Sequence, residues 1–342
     1  MKPWLYTLAL AAFGLHADVS GADEKFITLE NADMQVAIAP EQGGELCGFA
    51  VRFQGQWQEL LYRAKDYSER PGWSGKAPLL WPATGISRLP GEGPGHWDLD
   101  GKSYQMPPHG FARNLPWQVI EQQSEGDISS LTLEMNESGP LADFYPFGFQ
   151  FRVSYRLEAD KLSIDYRVVA AAENSRAMPF SIGNHITFKL PLVIGSEPER
   201  VLFQTGLPRQ LIRGEDRAFS GEVIPSPYSG WQAVRNLPRR NAISLGGETG
   251  QAGLIVRDPS GLDLHIRHQA SDEPVEPSIR FNLWADMKEG FFSPEPWIGT
   301  QNSLNSGAGL VWLEPGADWH WTIEITPTWA DLPTPPQLEK SP

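Results

Sequence analysis

The chain has 342 residues and a formal net charge of -14, and 40% of its residues are hydrophobic, including 13 Trp. The acidic balance argues against nucleic acid and anionic membrane surfaces as partners, because both require a basic patch. With 33 Gly and 30 Pro, the composition predicts many turns, little long helix and one large domain.

The first 22 residues have the layout of a secretory signal: Lys2 precedes an apolar run that ends at Leu15, and small residues follow. The run is too short to span a bilayer as a helix. We therefore predict that residues 1–22 are a signal peptide and that the mature protein is periplasmic or secreted, without membrane attachment after cleavage. Cys47 is the single cysteine, so no internal disulfide can form, and we expect its thiol to pack rather than react.

The mature chain reads as a series of β-strands. Apolar and polar residues alternate from Phe147 to Leu157 and again from Leu162 to Val168, with a tight turn at Ala159–Asp160. This pattern predicts an antiparallel hairpin with one buried face. We predict a single domain over residues 23–330, followed by a Pro-rich, disordered tail over residues 331–342.

One histidine interrupts an otherwise strand-like stretch, Met178–Leu190. Gly183 and Asn184 break the apolar alternation just before His185, so we predict a bend or bulge that re-aims the imidazole. An ordinary imidazole has a pKa near 6.5 and can donate a proton at neutral pH. Taken alone, this stretch fits a buried structural histidine as well as it fits a catalytic one.

Three further residues have an unusual local setting. Arg88 follows a glycine turn inside a long Gly- and Pro-rich segment, where it is either a solvated loop arginine or a guanidinium placed over a cleft. His109 is followed by Gly110, which permits a sharp turn after an extended approach. Glu295 lies between two prolines that fix its backbone. An ionised glutamate starts as a base, whereas a histidine can start as an acid.

Taken together and in order, these residues and their neighbours resemble the aldose 1-epimerase (galactose mutarotase-like) family. The matching segments are Pro78–Pro82 with Gly85 and Arg88, His109–Arg113 with Trp117, Tyr145–Phe147, Asn174, Met178–Phe180, Gly183–His185, Glu295–Trp297 and Pro315–Gly316. The resemblance extends over residues 26 to 330 and implies an all-β fold, the large antiparallel β-sandwich of the galactose mutarotase-like supersandwich, with a sugar cleft on one sheet.

The resemblance also implies a chemistry. His185 matches the general acid that protonates the ring oxygen of the sugar, and Glu295 matches the base that takes the anomeric proton. Arg88 and His109 match substrate-binding residues, and we add Trp297 as a ring on which a sugar can stack. The implied function is an isomerase that interconverts the α and β anomers of a free aldose or a sugar end, with no metal and no other cofactor.

Two alternatives use the same fold. The first is a polysaccharide lyase or glycosidase. A glycosidase needs a second carboxylate, for which the sequence offers Asp98, Asp143 and Asp286. The other is a carbohydrate-binding protein without turnover, with Trp73, Trp81 or Trp297 as stacking platforms.

A hexose-6-phosphate 1-epimerase is a further alternative within the family. Such enzymes usually carry Arg-Gly-Gly before the Pro-rich motif, where this chain has Ser74-Gly-Lys76. We therefore expect a sugar 6-phosphate to be a poor substrate.

Overall fold

The structure is a computed structural model that describes residues 26–63, 75–136, 139–247 and 251–329. The predicted signal peptide, the predicted tail, Trp73 and Ser74 lie outside the described residues. Among the helices of these four ranges, none is long and apolar enough to cross a membrane.

The described ranges contain 27 strands and five short helical segments. In chain order the strands are β1 (Ile27–Glu30), β2 (Met34–Ala39), β3 (Glu45–Phe53), β4 (Gln56–Glu59), β5 (Leu79–Leu80), β6 (Arg88–Leu89), β7 (Gly93–Pro94), β8 (His96–Leu99), β9 (Lys102–Gln105), β10 (Gln118–Glu125), β11 (Ile128–Asn136), β12 (Phe149–Glu158), β13 (Lys161–Ala170), β14 (Met178–Phe180), β15 (Ile182–Asn184), β16 (Phe188–Lys189), β17 (Leu202–Thr205), β18 (Arg209–Arg213), β19 (Phe219–Pro225), β20 (Gln232–Ala233), β21 (Ile243–Gly246), β22 (Gln251–Arg257), β23 (Leu262–Ala270), β24 (Ile279–Asp286), β25 (Phe291–Gly299), β26 (Val311–Leu313) and β27 (Asp318–Trp329). The helical segments are Ala112–Asn114, Gly139–Asp143, Pro198–Arg200, Val234–Asn236 and the α-helix α1 (Ser303–Ser306).

Two large sheets dominate the architecture. One has nine strands in the order β10-β11-β12-β13-β27-β23-β22-β17-β20, and the other has the order β19-β18-β21-β24-β25-β15-β5 with β16 also paired to β25. The strands β1 to β4 form a smaller sheet, and three two-stranded sheets complete the set. The predicted hairpin is confirmed: β12 pairs with β13 in antiparallel register from Phe149–Ala170 to Glu158–Lys161.

The core lies between the two large sheets. On β12 every second residue, from Phe149 to Leu157, is buried, as the alternation predicted. Contacts across the sandwich include Phe203 on β17 against Phe292 on β25, with ring centroids 5.7 Å apart. The all-β class and the antiparallel β-sandwich are therefore confirmed. Cys47, on β3 of the smaller sheet, is buried, and burial raises the pKa of its thiol to about 12.

The chain leaves the sheet at the central histidine. Gly183 lies opposite Trp297 and Phe188 lies opposite Phe292, so the register with β25 is the same on both sides of a gap. The predicted bulge is therefore an interruption without an extra residue. Two prolines of β25 in this gap lack the N–H that pairing needs. The backbone N–H of His185 instead donates to the carbonyl of Pro78 at 3.0 Å.

Candidate active site

A cavity of about 410 Å³ opens on the eight-stranded sheet beside this interruption. His109, His185, Glu295 and Trp297, which the sequence singled out, all line it. A second depression, of about 390 Å³, lies on β22, β23 and β27. We place the candidate site in the first, because there an imidazole and a buried carboxyl group, those of His185 and Glu295, face each other at 3.6 Å. Within the described ranges, no group of three or more His, Cys, Asp or Glu could hold a metal ion.

Glu295 lies at the centre of β25 and is 1% exposed. The register places it opposite Asn282 of β24, whose Nδ2 donates to Oε1 at 3.1 Å. The indole N–H of Trp297 donates to Oε2 at 3.1 Å. Burial raises the pKa of Glu295 to about 8, although Asn282, Arg213 and Trp297 each act to lower it.

His185 is 6% exposed and faces the same carboxyl group. Its Nε2 lies 3.6 Å from Oε2 of Glu295. Burial lowers the pKa of His185 to about 3. The raised pKa of Glu295 and the lowered pKa of His185 both favour the neutral forms of the two side chains. Such a coupled pair shares one dissociable proton, which either partner can carry.

His109 is held in a left-handed backbone conformation with φ of 64°. A Cβ on the next residue, Gly110, would lie 2.0 Å from the carbonyl oxygen of Trp81, so glycine is required for this close approach. The backbone N–H of Gly85 donates to Nδ1 of His109 at 3.2 Å. Desolvation keeps the pKa of His109 well below its ordinary value. The neutral ring therefore carries its proton on Nε2, where it can serve as a donor.

The two tryptophans that line the cavity differ in exposure. Trp297 is 1% exposed and its indole N–H is bound to Glu295, so it supports the carboxyl group more than it offers a stacking face. Gly183 makes this possible, because a Cβ there would lie 2.7 Å from Trp297 Cδ1. Trp284, which sequence reasoning missed, is half-buried and lies edge-on to His185, with ring centroids 5.6 Å apart.

Arg88 does not line the cavity, although Gly85 and Ile86 do. Its backbone N–H donates to Oδ1 of Asn302 at 2.7 Å, and its carbonyl accepts from Nδ2 of Asn305 at 3.1 Å. These bonds hold Arg88 in the short β6–β7 hairpin. Ile86, two residues before Arg88, lines the cavity, but the hairpin itself does not. The structure therefore does not bring Arg88 together with the other predicted residues.

An arginine from a distant strand lies in the cavity instead. Arg213, at the end of β18, donates from Nη2 to Oδ1 of Asn282 at 2.6 Å and from Nε to Oγ of Ser244 at 3.3 Å. It belongs to a loop-rich segment without a motif. The one signal in the sequence is the density of arginine there, with Arg209 and Arg217 nearby in an acidic chain.

The residues of the alternative readings lie elsewhere. Asp98, Asp143 and Asp286 do not line the cavity, and Asp286 is bound by Arg239 at 2.9 Å and Arg240 at 2.7 Å. Trp81 is fully buried among aromatic core residues, so its suggested use as a sugar platform is wrong.

The antiparallel β-sandwich defines the class to which this chain belongs, the galactose mutarotase-like fold. Solved structures of other proteins share it. A galactose mutarotase-like protein from Clostridium acetobutylicum superimposes with a TM-score of 0.74 at 20% identity, over 90% of this chain and 96% of that one. A galactose mutarotase related enzyme from Lactobacillus acidophilus gives 0.72 at 22% identity, over 90% and 99%.

The sequence comparisons narrow the class to a family. The family model described as aldose 1-epimerase matches residues 25–205 of this chain. Protein LacX (plasmid) of Lactococcus lactis subsp. lactis is 30% identical over 256 residues, which cover 69% of this chain and 77% of that protein. The chain belongs to the aldose 1-epimerase family, as its motifs indicated.

Proposed function

We propose that this protein is an isomerase that interconverts the α and β anomers of a free aldose by acid/base ring opening and reclosure. The observation that carries the proposal is the 3.6 Å contact between Nε2 of His185 and Oε2 of Glu295 inside a cavity. The anomeric oxygen and the ring oxygen of an aldose are bonded to the same carbon. A base and an acid that act on them must therefore lie close together, as these two groups do.

In the proposed reaction, ionised Glu295 removes the proton of the anomeric hydroxyl while protonated His185 donates to the ring oxygen. The bond between the anomeric carbon and the ring oxygen breaks, and an aldehyde and a hydroxyl group form. Rotation about the adjacent carbon–carbon bond exposes the other face of the aldehyde. Reclosure reverses both proton transfers and gives either anomer, so protons and electrons balance over the cycle.

The electrostatics of the pair suit this cycle. Ring opening converts ionised Glu295 and protonated His185 into two neutral groups, which is the state that burial favours. The neutral pair and the ion pair hold the same number of protons, so one proton transfer interconverts them. The donors on both oxygens of Glu295 favour the ionised form. Burial and these hydrogen bonds act in opposite directions, so both the neutral pair and the ion pair are accessible.

Two further residues support sugar binding. The Nε2 proton of His109 is available to a sugar oxygen, and the half-buried ring of Trp284 offers an apolar face beside His185. We assign these residues to orientation of the sugar, and we propose Trp284 as the stacking ring in preference to Trp297. A sugar with apolar C–H faces and several hydroxyl groups matches this mixture of ring and donors.

The test follows freshly dissolved α-glucose and α-galactose by polarimetry or NMR with the mature protein. We expect equilibration to the β anomer faster than the uncatalysed rate, with no new reducing ends from polysaccharide. Release of reducing ends would favour a lyase or glycosidase. Saturable sugar binding without faster equilibration would leave a binding protein, and either result would overturn the proposal.

A hexose 6-phosphate is a second candidate substrate, and Arg217 is the observation that favours it. Arg217 is exposed and lines the cavity, and within the described residues its side chain makes no hydrogen bond or ion pair. The cavity also holds Arg213, against Asp216 and a Glu295 whose raised pKa favours the neutral form, while the charge of Arg240 is paired with Asp286. It is therefore a positive site in an acidic protein, which suits an anionic group.

A matched pair of variants separates the two substrates. If the phosphate is the substrate, R217Q should lower kcat/KM for glucose 6-phosphate by about tenfold, the loss expected for a charged contact, and leave glucose unchanged. R235Q, which alters an exposed arginine outside the cavity, is the control. Our primary expectation is that free glucose is turned over faster than its 6-phosphate, because the predicted signal peptide would export the protein.

A further inference from the structure

Glu295 is held by residues that it contacts directly, and one of these, Asn282, is held in turn by Arg213 and Ser244. Asn282 donates to Oε1 of Glu295 through Nδ2, while its Oδ1 accepts from Arg213 at 2.6 Å and from Oγ of Ser244 at 3.2 Å. Asn282 is 3% exposed, so its amide has no access to bulk water. Each end of the amide therefore has a defined partner.

Arg213 decides which way this amide faces. An amide turned by 180° would present its NH₂ group to the guanidinium, donor against donor, and its oxygen to the carboxyl group of Glu295. Both contacts would be lost, and buried polar groups without partners are costly. The guanidinium cannot become an acceptor, so it forces the oxygen of Asn282 toward itself and the NH₂ group toward Glu295.

The charge of Arg213 is also directed at Glu295. Its hydrogen-bond partners are neutral: Asn282, Ser244 and Gln301, whose amide oxygen accepts from Nη2 at 2.6 Å when it is turned toward the guanidinium. The acidic residue that acts electrostatically on Arg213 is Glu295. Its positive charge therefore favours the ionised carboxylate, in the same direction as the hydrogen bond that it orients.

We propose that Arg213, acting through Asn282, is a positioning residue that favours the ionised, proton-accepting form of Glu295. Glu295 also faces His185, the residue that follows β15, with 3.6 Å between Nε2 and Oε2. His109 lines the same cavity. Arg213 is the permanent cation among these groups, so its charge opposes the neutral form of Glu295 that burial favours. We call this chain of contacts, from Arg213 through Asn282 to Glu295, the relay. Its catalytic meaning rests on the proposed function, whereas its physical test does not.

The test measures the ionisation of Glu295 without any sugar. Infrared titration of the mature protein follows the carboxylic acid band that disappears in E295Q. In the wild type we expect its midpoint near pH 8. In R213Q, which keeps the size and hydrogen bonding in part but removes the charge, the midpoint should rise by about one unit, a tenfold change in proton affinity. R217Q makes the same chemical change in the same cavity without contact to Asn282 and should move the midpoint much less.

The relay through Asn282 has its own signature. N282L should also raise the midpoint of Glu295. R213Q should raise that midpoint less in the N282L background than in the wild type, because Arg213 acts on Glu295 through Asn282. If R213Q fails to fold, S244A tests the same hydrogen-bond network with a smaller change. We expect it to raise the midpoint of Glu295 by less than R213Q would. Equal shifts in R213Q and R217Q, or no shift in R213Q, N282L and S244A, would overturn the proposal.

Kinetics provide a second readout if the isomerase activity is present. R213Q should have a kcat about tenfold below that of the wild type at pH 7, and the difference should narrow at pH 9, because the pair in R213Q, with its higher midpoint, keeps the shared proton that the wild type loses. A loss of kcat that is the same at both pH values would point to a structural role and contradict the relay. Absence of isomerase activity in the wild type would refute the proposed function but leave the titration result standing.

Discussion

Nε2 of His185 lies 3.6 Å from Oε2 of Glu295, although the two residues are 110 positions apart in the chain. The strand β15 that precedes His185 pairs directly with β25, which carries Glu295. The interruption after β15 frees the imidazole from the sheet at the point where the carboxyl group faces the cavity. The acid and the base of the proposed reaction are thus neighbours because their strands are neighbours.

The first prediction concerns this pair. H185A and E295Q should each reduce anomer exchange by about 10²- to 10⁴-fold, the usual contribution of a positioned acid or base. Circular dichroism should remain native. The matched controls are H265A on β23 and E134Q on β11, which make the same changes outside the cavity. Comparable residual activity in either cavity variant would contradict its role.

The second prediction concerns stability and pH. Glu295 has a folded-state pKa near 8 against an ordinary 4.5, so between these values the folded protein holds more protons than the unfolded chain. The free energy of unfolding then falls as pH rises. E295Q lacks this pH dependence. Between pH 4.5 and 8 its free energy of unfolding should therefore increase relative to that of the wild type by up to about 1.4 kcal/mol per pH unit.

Urea unfolding of the two proteins at several pH values measures the difference. His185 contributes the opposite slope, because its lowered pKa makes stability rise with pH between about 3 and 6.5. This term is present in both proteins and largely cancels in the comparison. A constant difference from pH 4.5 to pH 8 would show that the pKa of Glu295 is not raised in the folded state.

The third prediction separates the backbone role of His109 from its side-chain role. H109G and H109A both remove the imidazole and should both lower kcat/KM by at least about tenfold, the value of a hydrogen-bond donor to the substrate. The φ of 64° suits glycine better than alanine, so H109A should be less stable than H109G by about 1 kcal/mol. Thermal unfolding measures this difference, and equal stability would show that the left-handed conformation is not retained.

The fourth prediction concerns Gly183. A methyl group at this position would lie 2.7 Å from Trp297 Cδ1, so G183A must displace the indole that donates to Glu295. We expect a loss of about 1–3 kcal/mol of stability, as for other overpacked cores, together with lower activity. G206A, where a Cβ meets nothing within 4 Å, is the control. Native stability of G183A would indicate that the indole packs differently.

The fifth prediction addresses the arginine that the sequence favoured. Because Arg88 does not line the cavity, R88A should change KM for the sugar by less than about twofold, within the range of surface substitutions. The sequence alone led us to expect weakened binding. A large rise in KM with unchanged kcat would restore Arg88 as a binding residue and imply movement of the β6–β7 hairpin on binding.

Local patterns account for much of what the sequence predicted. The β12–β13 hairpin follows from the strict alternation of buried residues, and the turn at His109 follows from Gly110. His185 and Glu295 stood out because each has an unusual neighbourhood along the chain, a broken strand or flanking prolines. Their motifs, read in order, indicated the family to which the chain belongs.

The long-range register decided the rest. Arg213, Asn282 and Trp284 belong to strands or loops without a motif, and they reach the cavity because β18, β21, β24 and β25 lie side by side. Arg88 shows the converse, since a matching motif did not place its side chain at the cavity. By itself the sequence predicted the β-rich class, several strands and turns, and the two residues of the proposed acid/base pair, because these predictions depend on neighbours a few positions away. Only the tertiary structure decided which arginine and which amide support Glu295, because those contacts depend on which distant strands pair.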